Sequence, residues 1–394
     1  MTGIFILALA YVISHFYRAF LAVLSPALST DLGMTPADLS NALGAWFAAF
    51  ALSQFLVGTL LDRIGPKWTS AGLFALFGAG GSVLFAQAQS PLTVTIAMVM
   101  LGIGCSPILM ASVYIFKRSF SPSRFAMLTS LNIAVGLAGN ILGTTPLAHA
   151  MEVVGWRGVL LVLSATTVVL SLLIVVLVKD PPKAQQAGRG SYWDVIRIRS
   201  LWLILPLIFF NYAVAGGLRG VWTGPYFNLV HGLDTAAIGQ ATFYMALAMV
   251  MGSVVYGPLD QLFKTRKWIV VGGGLAVAGT LWLWTFNPAI TPNLAIAALV
   301  SVGIFAMSFA VLMAHATASI PDHLTGRGVT LINFFNMGGV GIMQWVTAAV
   351  YDNRQIVADP LMGFQAVFLT YALFFTAALA LYLFSKDAPP ASKS

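Results

Sequence analysis

Charged side chains are scarce in this sequence: Asp, Glu, Lys and Arg make up 8% of its 394 residues, against about 25% in a soluble domain. That shortage excludes an ordinary water-soluble globule. Cysteine is nearly missing. The single Cys105 sits in an apolar run, so neither a disulfide framework nor a CxxC metal site is available. Acidic residues number 12 against 20 basic ones, and none lies deep inside an apolar run. No Ser-His-Asp spacing, metal cluster or phosphate-binding loop occurs, which argues against an enzyme and leaves no resident cofactor to expect. The first apolar run, residues 3–28, has no basic segment before it and contains Arg18, so it reads as a retained helix and not as a cleaved signal.

What the chain has in abundance is apolar length. It is 59% hydrophobic with a mean hydropathy of +0.89. A spanning helix needs about 20 mainly apolar residues. Twelve such runs are centred on 4–28, 37–61, 68–87, 92–116, 125–151, 156–178, 201–229, 235–262, 268–286, 291–316, 328–351 and 361–384. The expectation is an all-α membrane protein of 12 transmembrane helices. Residues 1–178 form a first six-helix bundle, 179–200 a polar cytoplasmic linker, and 201–394 a second six-helix bundle with a short tail. Within the linker, Pro181, Pro182, Gln185, Gln186 and Gly188 read as flexible, and Tyr192 to Arg199 as a short amphipathic helix anchored by Trp193.

The net charge of +8 is confined to short loops, which argues against nucleic-acid binding. With the N-terminus inside, 16 of the 20 basic residues fall on the cytoplasmic side and only Arg157 and Arg354 on the other. Positively charged loops stay in the cytoplasm, so both termini are expected inside a bacterial inner membrane.

The run GTLLDRIGPK, residues 58–67, is a charged turn between two apolar runs. Gly58 offers a place where another helix packs closely. Asp62, Arg63 and Lys67 mark the exit from lipid, and Gly65-Pro66 reverses the chain. An echo holds Asp260, Lys264, Arg266 and Lys267. Adding 199 maps Pro26 to Pro225, Gly33 to Gly232, Gly58 to Gly257 and Gly104 to Gly303, and one insertion then maps Lys67-Trp68 to Lys267-Trp268. The turn resembles the G-x-L-x-D-R-x-G-x-K/R loop of the major facilitator superfamily. That resemblance implies two six-helix bundles related by a pseudo-two-fold axis, a monomer in the bilayer, and transport of a small molecule by alternating access. Gly58, Asp62, Arg63, Gly65, Lys67, Asp260 and Arg266 are then the gating set. Gln261 stands opposite Asp62, which predicts that the second loop is held less well than the first.

In that family the first, fourth, seventh and tenth helices line a central cavity. Tyr11, Ser14 and Arg18 share a face of the first, beside His15 and Tyr17. Tyr212, Arg219, Trp222 and Tyr226 share a face of the seventh. Arg18 and Arg219 are the only charged side chains deep in any span, and guanidinium groups without internal acids suit an anionic solute. Tyr17-Arg18 is similar to the organic-phosphate exchangers of the superfamily. Asn132 and Asn336 are further candidates for substrate binding, and His15, His149 and His315 are the titratable groups left for proton coupling.

Two other solutes stay open. Met245, Met249, Met313 and His315 carry thioether and imidazole donors that suit Cu(I). The run GGLRGVWTGPYF, residues 216–227, resembles an alphaproteobacterial subgroup that includes copper importers and riboflavin carriers. Tyr17, Trp222 and Tyr226 suit a flat ring such as riboflavin.

Overall fold

Proline and short polar residues open most of the long helices of the computed structural model, which describes residues 2–181, 192–321, 324–353 and 359–389. Helices α1 (Thr2–Phe16) and α2 (Leu21–Leu32) form the first span. Thr35 and Asp38 then cap α3 (Pro36–Arg63) reciprocally, with Pro36 at its first position. Next, α4 (Pro66–Leu73) runs through a π-turn at Phe74–Ala79 into α5 (Gly80–Ala86). Ser90 caps α6 (Pro91–Ser119), and α7 (Pro122–Leu142) and α8 (Thr145–Leu177) complete the first six spans.

After the short α9 (Tyr192–Ile196), α10 (Leu205–Gly217) passes through a π-turn at Leu218–Trp222 into α11 (Thr223–His231). Then come α12 (Thr235–Phe263) and α13 (Lys267–Phe286). A 3₁₀ turn at Ala306–Ser308 joins α14 (Pro292–Phe305) to α15 (Phe309–Ala318), and α16 (Thr325–Tyr351) and α17 (Pro360–Tyr382) end the order. No strand occurs among the described residues. Nine helices there are long and apolar enough to cross a membrane, or ten with α1 and α2 as one bent span. The linker segment 182–191, Arg354, and the tail from 390 lie outside the described residues.

Three expected spans differ in detail. The first bends by 50° between α1 and α2. The fifth, expected to run over 125–151, stops at Leu142, because Thr144 leaves helical geometry (φ −119°, ψ −123°) ahead of Pro146. A proline supplies no N–H to continue the ladder. Gly155 (φ 67°) then turns the chain inside α8, where only glycine is unstrained.

The chain folds as two compact units, Met1–Ala187 with Asp234–Gln240, and Gly188–Leu233 with Ala241–Ser394. The repeat read from the sequence recurs in the backbone of each. Gly33 ends α2 at φ 64°, ψ 23°, and Gly232 ends α11 at φ 66°, ψ 22°. Close helix packing repeats as well. A Cβ on Gly102 would strike the Trp46 carbonyl in the first unit, and one on Gly303 the Met245 carbonyl in the second. Likewise Gly139 admits the Val12 carbonyl, and Gly339 the Phe209 carbonyl. Small residues let helices approach where lipid gives no hydrophobic drive to associate. Gly58 does not act this way, since a Cβ there would meet open space.

Candidate functional site

The first unit buries Arg18 in the bend between α1 and α2, with 3% of its surface exposed. Its Nη2 donates to Ser14 Oγ at 3.4 Å, and its Nε has no acceptor among the described residues. No carboxylate pairs with it among the described residues; aromatic rings stand there in its place. The guanidinium carbon lies 5.0 Å from the Phe50 ring centre, 5.4 Å from Trp46 and 5.9 Å from Tyr11. Tyr11 meets His15 edge-on, and Gly136 of α7 makes room for both rings. One turn earlier on α7, buried Asn132 has no hydrogen-bond partner for either amide atom among the described residues. Tyr17 points elsewhere. Its hydroxyl donates to Ser82, which donates on to the Leu160 carbonyl.

The second unit treats its arginine differently. Arg219 is fully buried in the π-turn and donates from Nη1 to the Met249 sulfur at 3.7 Å. Trp222 donates to Thr347 Oγ1, and Tyr226 to the Pro288 carbonyl, within a packed aromatic core that includes Trp284 and Phe368. Tyr212 is buried against Phe309, and Asn336 is buried on α16. Sequence reasoning passed over Asn211, which is buried on α10 with neither amide atom partnered among the described residues.

Two of the four Cu(I) donor candidates, His315 and Met249, already hold other bonds. His315 Nε2 must donate to the Lys386 carbonyl at 2.9 Å, since a carbonyl only accepts, so the Tyr382 hydroxyl donates to Nδ1 at 2.6 Å. Met249 already accepts from Arg219, and Met245 is buried. No group of three or more His, Cys, Asp or Glu gathers among the described residues. His149, the third titratable candidate, is exposed beside Glu152.

The two charged loops are each fastened by a carboxylate that the sequence reading missed. In the first unit Asp62 pairs with Arg118 at 3.8 Å, and Gly65 (φ 104°) turns the chain so that Lys67 N–H donates to Asp180 at 2.7 Å. Arg63 is exposed at the end of α3. In the second unit Asp260 pairs with Arg266 at 3.1 Å, and Asp387 accepts from Thr265 and from the backbone of Arg266 and Lys267. The second loop is thus fastened within its own unit by contacts of its own. A signal was present in the sequence: Lys179-Asp180-Pro181-Pro182 returns as Lys386-Asp387-Ala388-Pro389-Pro390. Burial pushes the Asp387 carboxyl up, but the Thr265 hydroxyl and the backbone N–H groups of Lys267 and Arg266 outweigh it and hold the group below its ordinary value.

The family model described as Major Facilitator Superfamily matches residues 7–344. The chain belongs to that superfamily. Among relatives of this facilitator, the glycerol-3-phosphate transporter of Bacillus subtilis is 24% identical over 82% of this chain and 80% of its own length. A probable sulfoacetate transporter of Cupriavidus necator is 22% identical over 66% of this chain, a match that spans 64% of that protein. A probable L-galactonate transporter of Escherichia coli is 21% identical over 78% and 73%. Two solved structures share the fold at 18% identity and TM-score 0.76 each. A bacterial homologue of the human lysosomal transporter Spinster covers 97% of this chain and 96% of its own, and a D-xylose–proton symporter covers 97% of both. The facilitator fold, a multi-pass membrane location and transport of a small solute follow from this membership. The family is one of transporters, not enzymes.

Proposed function

We propose that this facilitator carries a small organic anion whose carboxylate, sulfonate or phosphate is bound by Arg18. One observation carries the reading: a buried guanidinium with a free Nε–H and no carboxylate partner among the described residues. Such a charge costs at least ~2.5–3.5 kcal/mol in a span, and an oxyanion arriving as solute returns part of that cost through charge-assisted bonds. Three relatives support the same class, since the sulfoacetate, glycerol 3-phosphate and galactonate for which they are named are all organic anions. His15, Ser14 and Asn132 complete the first unit's contribution, and Arg219 acts as a second cation in its own unit. The protein works as a monomer in a bacterial inner membrane with both termini cytoplasmic, alternating access between its two halves.

The test is a thermal-shift screen of purified protein against sulfoacetate, glycerol 3-phosphate and L-galactonate, repeated on Arg18→Ala. Stabilisation by at least one anion, lost in the variant, is the expected result. Equal stabilisation of both proteins would remove Arg18 from the site.

A further inference from the structure

Arg18 is kept charged in an apolar setting by rings and not by an acid. Trp46 and Phe50 lie four residues apart on α3, one turn of the same face, and their rings stack 5.1 Å apart at 15°. The guanidinium carbon of Arg18 lies 5.4 and 5.0 Å from the two ring centres, so it rests against the stacked pair. The pair is held in place by its backbone. A Cβ on Gly102 of α6 would strike the Trp46 carbonyl and come within 3.2 Å of Phe50 N, so α6 pins the backbone of both ring-bearing residues.

A ring face and a carboxylate stabilise a guanidinium in different ways. The ring attracts the cation through its quadrupole and accepts little from the N–H groups. A carboxylate would take two N–H donors and cancel the charge. Arg18 has the first arrangement, and its Nε–H stays without an acceptor among the described residues. Trp46 is itself fully buried with its indole N–H unpartnered there, so it is present for its ring and not for a hydrogen bond within the unit.

We propose that Trp46 and Phe50 are positioning residues for Arg18, their rings stabilising its charge without taking its Nε–H, which is left to an oxyanion of the solute. An oxygen of the solute's carboxylate, sulfonate or phosphate then meets the Nε–H. This rests on the anion reading above.

The experiment is a double-mutant cycle on purified full-length protein. Apparent Kd is read from the concentration dependence of the thermal shift with sulfoacetate, glycerol 3-phosphate and L-galactonate as probes. Trp46→Leu is expected to weaken binding by about two- to thirty-fold, the range of a cation–π contact. Trp46→Phe, which keeps a ring, restores most of it. In an Arg18→Ala background Trp46→Leu changes nothing further, because it acts through Arg18. Without ligand, the loss of Tm in the double variant is smaller than the sum of the two single losses. Phe50→Leu runs through the same cycle should Trp46→Leu fail to fold. Wild-type affinity in Trp46→Leu or Phe50→Leu, or an equal further loss in the Arg18→Ala background, would overturn the positioning role alone. Wild-type affinity in Arg18→Ala, or no stabilisation of the wild type by any probe, would overturn the anion reading and the inference with it.

Discussion

At the scale of single residues, Arg18 and Arg219 are chemically identical and differently employed. Arg18 donates to Ser14 and lies against the Trp46 and Phe50 rings, whereas Arg219 sits in a π-turn and gives Nη1 to Met249. Replacing Arg18 by Ala removes a charge-assisted contact of about 1.5–3 kcal/mol, which predicts ten- to two-hundred-fold weaker anion binding, to be read by Kd or transport KM. Arg18→Lys retains the charge but loses the planar fork, so it recovers only part of the affinity. Arg219→Ala is predicted to show the smaller defect in the same assay. Both arginines were legible in the sequence, because charge deep in an apolar run is rare. Trp46 and Phe50 were not, because aromatic residues in apolar runs are common and only their stacking against a particular guanidinium distinguishes them.

At the scale of elements, the loop joining α12 to α13 repeats the loop joining α3 to α4, with one substitution that strains it. Lys264 takes the place of Gly65 and sits at φ 52°, in the left-handed region that costs a non-glycine residue about 1 kcal/mol. Lys264→Gly should therefore raise Tm slightly, by relief of that strain; an unchanged or lower Tm would count against it. The same loop predicts a pH response. The folded-state value of Asp387 is depressed, so its contribution is present above the ordinary carboxyl range of about 3.9 and is lost as pH falls through the folded value. Protonation then frees the backbone N–H groups of Arg266 and Lys267, so the protection of these two amides, their exchange rate relative to the intrinsic rate at the same pH, should fall on acidification in the wild type. In Asp387→Asn the exchange should already be fast at neutral pH. Helix packing gives a third element-level expectation. Gly139→Ala drives a methyl into the Val12 carbonyl, a backbone atom that cannot rotate away, and should destabilise by about 1–3 kcal/mol in thermal or denaturant unfolding.

At the scale of the whole molecule, the repeat is the organising fact. Gly33 and Gly232 adopt the same left-handed cap, and the aspartates after the sixth and last spans clasp the loops at corresponding places. Six spans in each half would return the chain to the side it started from, and the bias of basic residues to alternate loops leads us to propose that this side is the cytoplasm. A fluorescent protein fused after Ser394 should fold and fluoresce, and alkaline phosphatase at the same point should stay inactive. Active phosphatase there would reverse the orientation.

The sequence by itself determined the spans, the register of the repeat and the two buried charges. Hydropathy and charge act along the chain, and each residue's cost of entering lipid is paid largely independently of its distant neighbours. Only the tertiary structure decided where helices break and which donors are already spent. The bend at residues 17–20 and the π-turns at Phe74–Ala79 and Leu218–Trp222 appear only in the folded backbone, and the commitments of Tyr17, Trp222, Tyr226 and His315 depend on partners tens of residues away. A hydrogen bond or a ring stack is fixed by the meeting of two helices, and no local pattern in either one contains the other.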